Sequence, residues 1–413
     1  MSRLLILMIV FSLLAPPTVA FGTAEKLQAG FIRDGDLWIF HNNEEEQITS
    51  TGKVFATPNW SKDGKWLLYQ TEAPSEFHKN EQQVEVWAYQ IETKQSKKIF
   101  YDGYSPSWAP NKHVIAFNNK GILNISDFKK FYNIATGVDD YAWLPDGSGF
   151  LLSSAGVLRP DGWSSASLFK KKVNDQYEDI VLFGGVNHFF TLPKEIGIGE
   201  KQIIAVYARD FSYSPSNKWI SFIVSPTASW SMDSNMLCII SSNGKDFEVL
   251  DEVILGVGKP KWAPFSETLA FIAGGGRIVF GFKDKDLKIR EMPVSGTYTP
   301  PNFADLDFDW VNDKMIVTSR IEEREWSNDF SEHPLPSLYS INIETNQQVD
   351  ITKPPKGYGD YQPQIFRPEE KLVWLRGTSI TDQDRTLWIA NPDGTEASEL
   401  LKNVDAIEIY QGE

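Results

Sequence analysis

Carboxylates recur at one fixed place in this chain. Asp140, Asp210 and Asp307 each stand three residues ahead of an aromatic, at Trp143, Tyr213 and Trp310, and Lys259 holds the same place before Trp262. Around the third of them the chain reads Asp305-Leu-Asp-Phe-Asp309. Strand alternation predicts Asp305, Asp307 and Asp309 on one side, with Leu306, Phe308 and Trp310 on the other. Carboxylates facing a common space suit a hard cation, through oxygen ligands, or the basic end of a peptide. They equally suit a solvated acidic wall or caps on turns, and no calcium-loop spacing supports the cation. A second set of candidates stands where the regular pattern is interrupted: His78, Trp163, Trp230, Trp326, Phe330 and the run Arg320-Ile-Glu-Glu-Arg-Glu-Trp326, which contains Arg324. Binding energy concentrates on Trp and Arg; the alternative is that each Trp fastens its own loop to the scaffold below.

Catalytic signatures are largely missing. The chain has no Gly-x-Ser-x-Gly elbow, no phosphate loop, no dinucleotide fingerprint and no Cys or His cluster at metal spacing. His41, His78, His113, His188 and His333 are scattered, and His113 falls in a turn, where it reads as a surface residue. Glu322 and Glu323 could serve glycoside hydrolysis, or simply be solvated. No catalytic residue, metal or cofactor is assigned.

The elements that position these residues form a repeat. The stretch from Pro58 to Tyr69, Pro-Asn-Trp-Ser-Lys-Asp-Gly-Lys-Trp-Leu-Leu-Tyr, returns around Trp108, Trp143, Tyr213, Trp262, Trp310 and Phe366. Each aromatic precedes a turn such as Ser61-Lys-Asp-Gly64 or Leu144-Pro-Asp-Gly147, in which Pro presets φ and Gly or Asn accepts positive φ. After the turn comes a short unbroken apolar run, for example Val114-Ile-Ala-Phe117 or Leu372-Val-Trp-Leu375. Such a run without polar alternation is a strand covered on both faces. Third and fourth strands come next, so the unit is a four-stranded antiparallel sheet. Near the N-terminus, Ala29–Arg33, 36–40 and 46–49 read as a sheet lacking its first strand, and residues 405–410 read as a first strand with no successors. Together they close a ring and remove exposed edges.

The Trp-Ser/Ala-Pro-Asp-Gly turn followed by an Ala-Phe type strand resembles the TolB-type, WD-like propeller repeat, which also occurs in prolyl oligopeptidase and dipeptidyl peptidase relatives. The resemblance covers nearly the whole chain after residue 25 and implies an all-β fold. That fold is a single β-propeller of four-stranded blades over residues 25–413, with eight blades expected and seven as the alternative. It implies no particular activity, since this architecture hosts scaffolds, enzymes and lids. For TolB itself it implies an envelope protein that binds partners. The N-terminal domain that accompanies the TolB propeller has no counterpart here.

Composition narrows the setting. Arg3, the apolar run from Leu4 to Ala15, Pro16-Pro17 and small residues at Thr18 and Ala20 have the three regions of a secretory leader, cleaved after Ala20 or as late as Ala24. The run is short for a membrane span. The only cysteine, Cys238, lies in an apolar run and reads as a small buried hydrophobe. A net charge of −15 argues against nucleic acid and anionic lipid and leaves room for a basic partner. The expectation is a secreted or periplasmic monomer that binds a protein or peptide through the face bearing the long loops, at residues 71–83, 154–165, 225–235, 320–336 and 377–384 and a connector at 184–202. The alternative is a propeller hydrolase or lyase acting on glycans or peptides at the channel mouth.

Overall fold

The computed structural model describes residues 27–76, 78–174, 176–227, 234–275, 282–291 and 294–412. The expected leader and Trp230 lie outside these residues, as does the side chain of Phe330. Short apolar runs bounded by turns form eight four-stranded antiparallel sheets, which settles the blade number at eight. Blade one takes strands from both ends of the chain, in the order Glu44–Gln47, Asp36–His41, Ala29–Arg33, Ile407–Ile409. Ala29 faces Ile409 and Phe31 faces Ile407 in that closure. Blades two to eight come in sequence order, beginning with the first strands Asn59–Trp60, Tyr104–Trp108, Asp140–Trp143, Tyr207–Tyr213, Lys261–Trp262, Phe303–Asn312 and Gly359–Phe366.

The unbroken apolar runs are explained by where the core lies. Eight apolar clusters each straddle two neighbouring blades, so a second or third strand has one neighbour on each face. Thr268–Ala273 and Asn235–Ser241 are buried at every position, and Cys238 lies inside the cluster between blades four and five. Each large aliphatic or aromatic side chain so buried contributes about 1.5–3 kcal/mol.

In blades two, three, six and seven the repeat tryptophan fastens one blade to the one before it. The indole N–H of Trp60 donates to the Glu408 carbonyl (3.1 Å), that of Trp108 to Asn59 (3.0 Å), that of Trp262 to Ser212 (3.3 Å) and that of Trp310 to Lys261 (3.0 Å). The turn after it is braced too. In blade two the Ser61 hydroxyl donates to Asp63 (2.7 Å), and His113 from the next blade lies 2.9 Å from the other Asp63 oxygen. Burial pushes the Asp63 carboxyl up, but Ser61, the Lys65 amide and His113 together hold it below the ordinary value. His113 is exposed, as its turn position predicts, and also links two blades.

Several long segments read as loops are partly strand. Trp66–Pro74 pairs with Gln82–Gln90 as far as Pro74 opposite Gln82, leaving only a short tip. Leu158–Arg159 and Gly162–Trp163 form a small ribbon in blade four. The expected connector at 184–202 is corrected: Val186–Thr191 is the fourth strand of blade four, and a ribbon of Glu195–Ile198 with Lys201–Ile204 leads on to blade five.

Candidate functional site

First strands touch between blades two and three, four and five, five and six, and seven and eight, which brings side chains one and three residues before the repeat aromatic of those blades near one another. In blades three, five, seven and eight this strand carries a bulge, near Ser105, Asp210, Leu306 and Gln362. Ser105, Asp210 and Gln362 have φ of 49°, 56° and 51°. A bulge breaks the two-residue alternation and re-aims the side chains beyond it. The expectation for Asp305 therefore fails. It is fully buried beside Arg320 on the neighbouring strand, which donates from Nε (2.8 Å) and Nη2 (3.0 Å), while Asp307 and Asp309 face the cavity. Arg320, expected in a loop, belongs to the strand Met315–Glu322.

The carboxylates do not form one ring. Asp140 accepts the Asp210 backbone N–H at 2.9 Å, and the adjacent Arg209 makes two bonds of 2.9 Å to Asp139. Burial raises the Asp140 carboxyl, with Asp210 and Asp139 adding to it against backbone hydrogen bonds. Asp307 belongs to a different group, and among the described residues no hydrogen bond or ion pair joins the two. Asp307, Asp309, Lys259, Lys261, Arg367 and Glu408 line a cavity of about 610 Å³ that spans blades six to eight and reaches blades one and two.

Lys261 is 3.5 Å from Asp309 and 4.0 Å from Asp307, and it also donates to the Phe308 carbonyl. Burial alone would lower its ammonium; Asp309 and Asp307 reverse that and hold it above the ordinary lysine value. Burial likewise raises the Asp307 carboxyl, against the pull of Lys261. Across the cavity, burial pushes Glu408 up to about 7, opposed by Lys261 and Lys259. Sequence reasoning missed Lys261, Asp309 and Glu408 as a charged group. The signal was one column away: Asn59, Ser212, Lys261 and Glu408 supply the carbonyls that receive the repeat indoles, so they occupy equivalent places. Among the described residues no group of three or more His, Cys, Asp or Glu is arranged to hold a metal ion.

On the long-loop face, the insertions of neighbouring blades are joined. The Phe282 N–H donates to the Arg324 carbonyl (2.7 Å), and the Asp284 N–H donates to Glu323 (3.0 Å). Trp326 stacks on Phe282 with ring centres 5.8 Å apart and packs on His333 at 4.3 Å. Phe282, Ile321, Trp326 and Ile380 share one apolar cluster, fed by blades six, seven and eight. Arg324 is exposed and donates to the Glu332 carbonyl (3.0 Å). Trp163, half-buried, sits in the blade-four ribbon opposite Leu158. His78 is exposed at the blade-two tip beside a cavity of about 180 Å³. These candidates therefore stand on separate blades, and only Arg324 and Trp326 are brought together.

No protein-family model matches this chain, and no curated protein matches it in sequence. Solved structures do. A dihydro-heme d1 dehydrogenase, NirN, is similar at 12% identity over 93% of this chain and 75% of that one, with a TM-score of 0.57. A puromycin-hydrolyzing peptidase from Mycobacterium tuberculosis is similar at 12% identity over 84% of this chain, with a TM-score of 0.51. The chain spans about half that peptidase, 53% of its length. At these identities the likeness is one of fold. It supports the expected resemblance to peptidase-type propellers, while the TolB-type likeness rests on the turn motif alone.

Proposed function

We propose that this chain is an extracytoplasmic binding protein that works as a monomer and without a cofactor, and presents the loops of blades six to eight to a protein or peptide partner. The observation that carries this reading is the apolar cluster of Phe282, Ile321, Trp326 and Ile380, which ties insertions from three blades into one platform. A loop already ordered in the free protein avoids the entropy loss of ordering it on binding. Arg324 stands exposed at the edge of this platform. The acidic surface favours a basic partner, and the leader-like N-terminus supports a place outside the cytoplasm. Trp163 and His78 extend the contact area on the same face.

A photocrosslinking residue placed at Arg324, with one at Phe265 as control, tests the reading in the native envelope. Phe265 is 87% exposed in the first turn of blade six, on the opposite face. A discrete product from position 324 and none from 265 is expected; equal labelling, or none, overturns it. A second reading, hydrolysis of peptides or glycans at the channel mouth, draws on the fold likeness to a peptidase. Activity of the wild type on such polymers, lost in Asp140→Ala, Asp210→Ala or Asp307→Ala, would establish it, and an inactive wild type removes it.

A further inference from the structure

The channel cavity is built from opposite charges in equal number: Lys259, Lys261 and Arg367 against Asp307, Asp309 and Glu408. A net-charged ligand gains little from such a wall, whereas a dipolar one gains at both ends. Part of this set is already engaged within the protein itself. Lys261 is held by Asp309 and Asp307, and Asp309 accepts the Ile365 N–H at 2.9 Å. Among the described residues, the Arg367 guanidinium makes one hydrogen bond, to the Trp310 carbonyl at 3.3 Å.

Two groups have no direct hydrogen-bonding partner among the described residues. Among the described residues, no hydrogen bond or ion pair reaches the side chain of Glu408, which is half-buried, and none reaches that of Lys259, which is exposed. A carboxyl drawn out of bulk water without a partner is costly to the fold, so its place in a cavity wall is informative. The bulge at Gln362 adds an amide to the same wall. The volume, about 610 Å³, lies in the range that encloses a small organic ligand.

We propose that this cavity is a binding site for small zwitterions, of the class of short free peptides, with the ligand ammonium on Glu408 and its carboxylate on Lys259 and Arg367. The site is separate from the loop platform and stands or falls independently of it. The charged groups facing Glu408 are Lys261, Lys259 and Asp309. The strands packed against it, Asn59–Trp60 and Ala29–Arg33, add none, since Arg33 is turned to Glu45 at 2.7 Å. A ligand ammonium favours the ionised carboxyl, so affinity rises as pH approaches about 7 and falls again above ~8, where a peptide α-amine loses its proton.

The test is calorimetric titration of the purified full chain with triglycine at about pH 7.3, above the Glu408 value and below the ~7.7–8.0 of a peptide α-amine, beside N-acetyl-triglycine and triglycine amide. Free triglycine is expected to bind, with each blocked form weakened by about tenfold or more, the loss of one charge-assisted contact. Glu408→Gln should weaken triglycine about as far as N-acetylation does, and Lys259→Gln about as far as amidation; the second change lies on the surface and leaves the fold intact. Absence of heat with triglycine, or equal binding of the blocked peptides, overturns the proposal.

Discussion

Glu408 is where one carboxyl couples the cavity to stability. Its ordinary value is 4.5 and burial raises it to about 7 in the fold. Between those values the folded protein holds the proton that the unfolded chain has released, so this group's contribution is complete below about 4.5 and is lost as pH rises through 7. The full swing is about 3 kcal/mol. Glu408→Gln is therefore expected to match wild type near pH 4.5 and to exceed it by up to about 3 kcal/mol at pH 8, measured by urea unfolding. A difference that does not change with pH would refute this. Asp305, by contrast, is paired with Arg320. Removing its charge in Asp305→Asn leaves the Arg320 guanidinium buried without a counter-ion, at a cost of about 3–5 kcal/mol. The double change Asp305→Leu with Arg320→Met should recover most of that loss in the same assay.

Among the elements, the segment joining the last two strands of blade four presents apolar side chains outward: Val181 is 66% and Phe183 80% exposed. It is held by Lys171, buried, whose ammonium donates to the carbonyls of Val181 (2.8 Å) and Leu182 (3.1 Å) as well as to Ile134 of the blade before. Burial lowers its pKa. Lys171→Met keeps the apolar stem but strands these carbonyls, so a loss of about 1–3 kcal/mol and faster protease cleavage within 178–186 are expected. Unchanged cleavage would show that the segment is held by other means. The insertion of blade six has an anchor of the same kind, since buried Lys285 donates to the carbonyls of Gly275 (2.7 Å) and Lys283 (3.0 Å), and the stacking of Phe282 on Trp326 then joins it to blade seven.

For the whole molecule, ring closure rests on one short strand. Ile407–Ile409 completes blade one, receives the Trp60 indole at Glu408 and buries Ile407 and Ile409. Truncation after residue 404 opens the ring and leaves Ala29–Arg33 as an unpaired edge. A broadened thermal transition, a melting temperature lower by about 10 °C or more, and self-association in size-exclusion chromatography are expected. A truncated chain that stays monomeric with an unchanged transition would show that closure is dispensable.

The sequence alone determined the blade, the closure and the burial of Cys238. Those depend on signals within a few residues of each other: a turn with Pro or Gly, an apolar run, and an aromatic recurring at the same point. The binding candidates were legible only as residue types. Bulges at Leu306, Asp210 and Gln362 turn side chains against the simple alternation, which separated Asp305 from Asp307 and Asp309. Tertiary structure decided which charges meet, because Lys261, Asp309 and Glu408 come from three different blades, one of them the blade that closes the ring. It also decided that Trp326 braces a platform, through Phe282 of the preceding blade. Local hydrogen bonding and patterning can be read along a chain, whereas contacts across a closed ring depend on how every blade between them twists and packs.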